Sequence, residues 1–279
     1  MSLATLADVL HNPSRTGAVA AYNVIQIEHA EAYVRAAEQT RLPVVMQISE
    51  NCVRYHGSLR PIASATLALA DACGQAVVVH LDHATDPALV DEAIEVGLTS
   101  VMFDGSQLPD AQNRELTAQV VARCHARGVS VEAELGEVGG KDGVHAPGVR
   151  TDPVEAARFV ADTGVDALAV AVGSSHAMTQ RTASLDTALI RDIAAQVPVP
   201  LVLHGSSGVP DEGLVEAVAA GMAKVNIATH LNQVFTRAML ARLEEAHTVD
   251  TRKYLGAARE AVAVEAARLL RLLAGIATR

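Results

Sequence analysis

Short apolar and β-branched runs alternate along the chain with longer stretches of helical period. The runs are "AVAAYNV" (18–24), "PVVMQIS" (43–49), "AVVVHLD" (76–82), "TSVMFD" (99–104), "VSVEAELG" (129–136), "DALAVAV" (166–172), "PLVLHG" (200–205) and "AKVNIA" (223–228). They read as strands that are apolar almost throughout, which implies a parallel sheet covered on both faces. Between them lie "IEHAEAYVRAAEQT" (27–40), "SATLALADAC" (64–73), "DPALVDEAIEVG" (86–97), "NRELTAQVVARCHARG" (113–128), "DPVEAARFVADTG" (152–164), "TALIRDIAAQV" (187–197) and "DEGLVEAVAAG" (211–221). Several begin with an acidic residue and end with Gly, as helix termini prefer. Repeated βα units predict an α/β fold, a (β/α)8 TIM barrel. Beyond residue 230 the pattern adds extra C-terminal helices, two long ones interrupted by "DTRKYLGAARE" (250–260). Residues 1–279 are expected to form one domain. An open doubly wound sheet is the competing architecture, but no G-x-G-x-x-G follows the first strand.

Composition narrows the picture. Half of the residues are hydrophobic and Trp is absent, so the core must be built from Ala, Val and Leu. The net charge of −10 and the lack of a basic stripe argue against a nucleic-acid partner. Cys52, Cys73 and Cys124 are far apart and form no C-x-x-C pair, which predicts reduced thiols rather than a disulfide framework. The N-terminus lacks a signal-peptide pattern, and no apolar run approaches the roughly 20 residues of a membrane span. A cytoplasmic protein with no membrane contact is expected.

Almost every predicted strand ends in a polar residue: Asn23, Ser49 with Glu50, Asp82 with His83, Asp104, Glu134, His204 and Asn226, with His176 just beyond strand six. In a barrel these ends converge on one mouth, where the chemistry of such enzymes sits. His83, His176 and His204 there could form a neutral nitrogen site suited to Zn2+, although cobalt, iron or manganese would accept the same ligands. Asp82, Asp104 and Glu134 could each be a ligand, a group that steadies a ligand, or an acid–base group. Glu132 shares a face with Glu134, which leaves a structural role open to one of the two. His80 lies in the body of its strand and is expected in the core or supporting the site. The other histidines, His29 among them, are expected mostly at the surface.

In "HLDHATD" (80–86), Asp82 and His83 are adjacent, and adjacent strand residues point to opposite faces. Both can serve one centre only if the strand stops or bends there; the pattern ends it at Asp82–His83. "GSSGVP" follows strand seven, and Gly205, Ser206 and Ser207 would expose backbone N–H groups at a helix start, a good phosphate cradle. Thr229, after strand eight, could cap a helix and add a hydroxyl. The glycine-rich stretch 136–152 reads as a functional loop.

Taken together, "AYNV", "LDHATD", "SVMFDGS", "VEAELGEVGG", "GSSHA", "LHGSSGVP", "KVNIAT" and "RKYLGAARE" resemble the class II, metal-dependent ketose-bisphosphate aldolases, over most of the chain. The resemblance implies a lyase that reversibly cleaves a fructose- or tagatose-bisphosphate-like ketose to dihydroxyacetone phosphate and an aldehyde such as glyceraldehyde 3-phosphate. It implies that Asp82 handles the C4 hydroxyl proton and that His83, His176 and His204 hold zinc. Asp104 and Glu134 would line an alternative metal position or steady the ligands. Asn23, Ser49, Ala177, Gly205, Ser206, Ser207, Asn226, Ile227, Ala228 and Thr229 would contact substrate, mostly its phosphate. Arg252 would reach the far phosphate, in some relatives across a subunit interface. A monovalent cation (Na+ or K+) near the phosphate and a homodimer or homotetramer are also implied. A Schiff-base lysine is not required, so Lys141 and Lys224 need no such role.

The departures from the family pattern fall on sugar and phosphate recognition. Ala177 replaces a glycine, Gln180 a lysine and Asn232 a basic residue, and "GGKDG" lacks the usual loop glutamate, leaving Glu137 or Asp142 for that role. "NIAT" is closer to the tagatose type. A different or singly phosphorylated ketose is therefore one alternative, and a non-catalytic sugar-phosphate binder another. A barrel metallohydrolase would carry HxH on its first strand, and "AVAAYNV" does not.

Overall fold

The computed structural model describes residues 3–135, 150–176, 178–246 and 248–276. Among them, eight parallel strands close a barrel in sequence order: β1 (Val19–Asn23), β2 (Val44–Ser49), β3 (Val77–Ala84), β4 (Ser100–Phe103), β5 (Ser130–Leu135), β6 (Ala167–Val170), β7 (Leu201–Leu203) and β8 (Met222–Ile227), which pairs back onto β1. The helices are α1 (Leu6–Leu10), α2 (Ile27–Thr40), α3 (Glu50–His56), α4 (Arg60–Ala72), α5 (Pro87–Val96), α6 (Asp110–His125), α7 (Pro153–Thr163), α8 (Thr187–Gln196), α9 (Asp211–Ala220), α10 (Thr229–Ala246) and α11 (Thr251–Leu273).

The helix ends follow local chemistry. Asp86 and Asp152 cap α5 and α7 by accepting from backbone N–H groups, and Pro87 and Pro153 follow them where the missing N–H costs nothing. Outward strand residues such as Tyr22, Met46, Leu81, Val131, Leu203 and Val225 pack under the helices in one large cluster. Inward residues near the strand starts, among them Val19, Ala21, Val45, Val78, Ala169 and Val202, form a second cluster with Leu6, Val9 and Leu10 of α1. This short helix plugs the base of the barrel. It is held by a reciprocal capping box between Thr5 and Asp8 and by Ala7 N–H donating to Ser130 Oγ at 3.2 Å. Full burial of such a Leu or Val is worth about 2 kcal/mol.

The structure corrects the sequence reading at four places. Neither α1 nor α3 was expected, because each is too short to show a helical period. "DTRKYLGAARE" does not interrupt the C-terminal helices: Asp250 caps α11, and the rest forms its first turns. α11 packs back on the N-terminal region, where Tyr22 OH donates to Ala266 O at 2.9 Å and Ala18 N–H to Leu273 O at 2.8 Å. β3 does not stop at Asp82–His83 but runs on to Ala84. His29 is buried, not at the surface: it packs against Phe235, with ring centroids 4.9 Å apart. The glycine-rich loop lies outside the described residues except for its last three positions.

Candidate active site

The adjacency of Asp82 and His83 is resolved by backbone geometry. His83 has φ +52°, in the left-handed region, and the β3–β4 register shifts between Leu81 and Ala84. Such a conformation is uncommon for a residue other than glycine. It bends the strand without ending it and brings both side chains to the cavity at the mouth.

His83, Glu134, His176 and His204 form the metal-competent group: one candidate ligand atom from each lies within 4.8 Å of all the others. The ring centroids of His83 are 4.7 Å from His204 and 5.2 Å from His176, with the rings edge-on. His83 Nδ1 lies 2.9 Å from Asp104 Oδ2. A carboxylate only accepts, so that nitrogen carries the proton, which leaves Nε2 as the nitrogen that can coordinate a metal. Asp104 is itself steadied by Ser106 Oγ at 2.6 Å. It is thus set to orient His83 and is not one of the four converging groups. His204 is arranged the other way round: Nε2 lies 2.8 Å from Glu132 Oε1, while Nδ1 makes no hydrogen bond among the described residues and lies 3.5 Å from Glu134 Oε2. Burial, with His83 and Lys224 nearby, holds the His204 pKa well below the usual histidine value. The ring is therefore neutral, which is the form that binds a metal. His80 is buried beneath the centre, with Nδ1 2.8 Å from Ser100 Oγ.

Asp82, on β3, is held by side chains of strands β1 and β2. Gln47 Nε2 donates to Asn23 Oδ1 at 2.8 Å, and Asn23 Nδ2 donates to Asp82 Oδ2 at 3.2 Å. Asp82 Oδ1 has no hydrogen-bond partner among the described residues and lies 3.9 Å from His83 Nε2. One oxygen is anchored, and the other is available beside the metal position.

The anion cradle lies across the mouth. Gly205 adopts φ +65°, and a Cβ there would come within 2.6 Å of the Ser175 backbone. Glycine thus lets the turn that follows β7 close against the segment carrying His176. Ser206–Gly208 forms a 3-10 turn; Ser206 Oγ donates to Asn226 O, and Ser207 Oγ accepts from the N–H groups of Ala228 and His230 at 3.3 Å. Gly205, Ser206, Ser207, Ala228 and Thr229 line the cavity at the start of α10, an eighteen-residue helix whose N-terminus favours an anion.

The cavity has a volume of about 520 Å³, and Asn23, Ser49, Asp82, His83, Asp104, His176 and Asn226 also line it. Ile227 does not; its side chain is buried in the large apolar cluster. Ala177 lies outside the described residues, as do Glu137, Lys141 and Asp142. Arg252 is not among the residues that line the cavity: its side chain is 88 % exposed, and its guanidinium pairs with Asp250 at 2.9 Å. Several residues that matter were missed as site residues. Gln47 lines the cavity, Glu132 and Lys224 lie beneath it, and Glu50, Arg54, Thr85 and Gln107 form its wall on the β2–β4 side. Glu50 accepts from Arg54 and from Thr85 N–H at 2.6 Å, tying the start of α3 to the end of β3. The alternation of strand side chains points to the first three, since Gln47, Glu132 and Lys224 stand two residues before Ser49, Glu134 and Asn226.

Residues 5–276 match the family model of the class II fructose-bisphosphate aldolases. The fructose-bisphosphate aldolase of Geobacillus stearothermophilus is 37 % identical over 268 residues, covering 94 % of this chain and 93 % of the relative. A probable fructose-bisphosphate aldolase of Bacillus subtilis is 38 % identical over 271 residues, 94 % of each chain. Among solved structures, the YdjI aldolase of Escherichia coli K12 superposes with a TM-score of 0.85 at 29 % identity, over 97 % of both chains.

Proposed function

The chain belongs to the class II fructose-bisphosphate aldolase family and is a lyase, and from that premise we propose that it cleaves a phosphorylated ketose between C3 and C4, with Asp82 as the acid–base group and zinc held by His83, His176 and His204. The observation that carries this reading is the meeting of three elements at one mouth: the converging His/Glu group, of which His83 and His176 line the cavity, a carboxylate oxygen with no hydrogen-bond partner among the described residues beside it, and an anion cradle opposite. The donor set fits zinc, with three imidazoles and one carboxylate in reach. Bound there, the ion supplies Lewis acidity, polarising the ketone and stabilising the negative charge left by carbon–carbon cleavage.

The protein's own residues do the rest. The N–H groups around Ser206–Ser207 and at the start of α10 hold the phosphate of the dihydroxyacetone half. This anchors the ketose so that its C4 hydroxyl meets Asp82 Oδ1. Asp82 takes that proton during cleavage and returns it during condensation. The hydrogen bond from Asn23 keeps Oδ2 occupied, so Oδ1 faces the substrate. Glu134 steadies the ligand group or offers an alternative metal position. A monovalent cation beside the phosphate and assembly into a dimer or tetramer belong to the same proposal.

The substrate is fructose or tagatose bisphosphate or a close relative. A singly phosphorylated ketose is the second reading. It is favoured because Arg54 is the one lysine or arginine among the described residues lining the cavity, and Glu50 already pairs with it. Incubating the zinc-loaded protein with fructose and tagatose bisphosphates and with singly phosphorylated ketoses tests both readings. Release of dihydroxyacetone phosphate is expected, and the ranking of rates identifies the substrate. Failure to release it from any phosphorylated ketose overturns the aldolase proposal.

A further inference from the structure

Beneath the ligand atoms, four side chains close a ring. Lys224 Nζ donates to Glu132 Oε2 at 2.8 Å and to Asn226 Oδ1 at 2.8 Å. Glu132 Oε1 lies 2.8 Å from His204 Nε2, and Asn226 Nδ2 lies 3.1 Å from the same nitrogen. Glu132 and Lys224 are fully buried and do not line the cavity. Neither touches substrate, and neither belongs to the converging group.

The direction of each bond follows from the atoms. Lysine offers donors only, so the Asn226 atom facing it is the carbonyl oxygen, and the amide nitrogen is turned away from it. A carboxylate accepts only, so the His204 proton sits on Nε2 and the Nδ1 lone pair faces the metal position. With Nε2 protonated, the approach of Asn226 Nδ2 is a contact and not a second hydrogen bond. The Asn226 amide hydrogens are left for a group in the cavity, which Asn226 lines. Stability alone does not explain the ring. A buried ion pair replaced by apolar side chains of similar volume is often no less stable.

We propose that Lys224 is a positioning residue for the aldolase reaction: through Glu132 it presents His204 Nδ1 to the metal, and through Asn226 Oδ1 it turns that amide's N–H groups toward the substrate's reacting oxygens. The first half rests on metal binding and the second on the aldolase reading. Lys224→Met alone would leave the Glu132 charge buried and unpaired, so compensated variants are used. Lys224→Met/Glu132→Leu removes both charges and the acceptor for His204. Lys224→Met/Glu132→Gln removes both charges but keeps an oxygen for His204 Nε2–H.

The first variant is expected to bind zinc about 10- to 100-fold more weakly in chelator competition, and its cobalt-substituted form to show altered absorption bands. In the second, zinc affinity stays closer to wild type, while kcat at saturating metal falls about tenfold or more and KM shifts by no more than about threefold. Fold loss would move the thermal midpoint of both variants without this split. Zinc affinity within about twofold of wild type in the Leu variant, or an unchanged kcat in the Gln variant, overturns the proposal. A wild type that binds zinc but cleaves no ketose sinks the aldolase reading and the Asn226 half, while the zinc measurements still decide the His204 half. A wild type that binds no zinc overturns both.

Discussion

The floor and the mouth of the barrel are built on the same strands, a few residues apart, and they share almost no chemistry. At the floor the inward positions are Val19, Ala21, Val45, Val78, Ala169 and Val202, closed by Leu6, Val9 and Leu10. At the mouth the inward positions are Asn23, Gln47, Asp82, Glu134, His204 and Asn226; hydrogen bonds join Gln47 to Asn23 and Asn23 to Asp82, and His204 lies 3.1 Å from Asn226 Nδ2 and 3.5 Å from Glu134 Oε2. A floor of apolar contacts is non-directional and tolerates small shifts. The mouth depends on the orientation of single atoms: Nδ1 of His204, Oδ1 of Asp82 and Oδ1 of Asn226. Stability is concentrated at one end and specificity at the other, so substitutions at the two ends should fail in different ways.

The sharpest contrast comes from Asp82→Ala. It is expected to keep its zinc and its thermal midpoint within a few degrees, and to lose about 100- to 10,000-fold in kcat. Steady-state kinetics beside metal analysis checks this, and unchanged turnover would break the division. Leu6→Ala is the mirror image. It is expected to cost about 2–5 kcal/mol in denaturant unfolding while the folded, zinc-loaded fraction retains its kcat. A matching loss of kcat would show that the floor reaches the chemistry.

A smaller effect comes from His29, which belongs to neither end. Burial depresses its pKa from 6.5 to about 4. Between those values the unfolded chain takes up a proton that the folded one refuses, so this contribution falls as pH drops through the window, by up to about 3 kcal/mol. His29→Leu should flatten that part of the stability–pH curve, with little change in activity at neutral pH. A curve as steep as that of the wild type would refute it.

The upper layer of the mouth was readable in the sequence because each of its residues ends an apolar run. The layer beneath was legible only in part, through the alternation that puts Glu132 on the face of Glu134. Gln47, Glu132 and Lys224 sit inside the runs, where a single polar residue breaks no pattern, and their partners come from other strands. The barrel itself followed from repeated βα units, whereas α1 and α3 were hidden by their shortness. The bend at His83 was anticipated as a requirement, but its form was not, because a left-handed φ at a residue other than glycine leaves no mark in composition. Asp104 shows the same limit. Its type and place allow a ligand, and only the 2.9 Å contact with His83 Nδ1 shows it set to orient that ring instead. Arg252 was named through resemblance alone; its guanidinium pairs with Asp250 at the surface of its own chain.

The central claim is that the mouth holds one metal through His83, His176 and His204, and the most direct test is anomalous diffraction at the zinc edge from crystals of the zinc-loaded protein. The account predicts a single strong peak about 2.0–2.1 Å from a nitrogen of each of the three histidines, with Nδ1 serving at His204 and Nε2 at His83. A peak elsewhere, no peak, or coordination of His204 through Nε2 would contradict it.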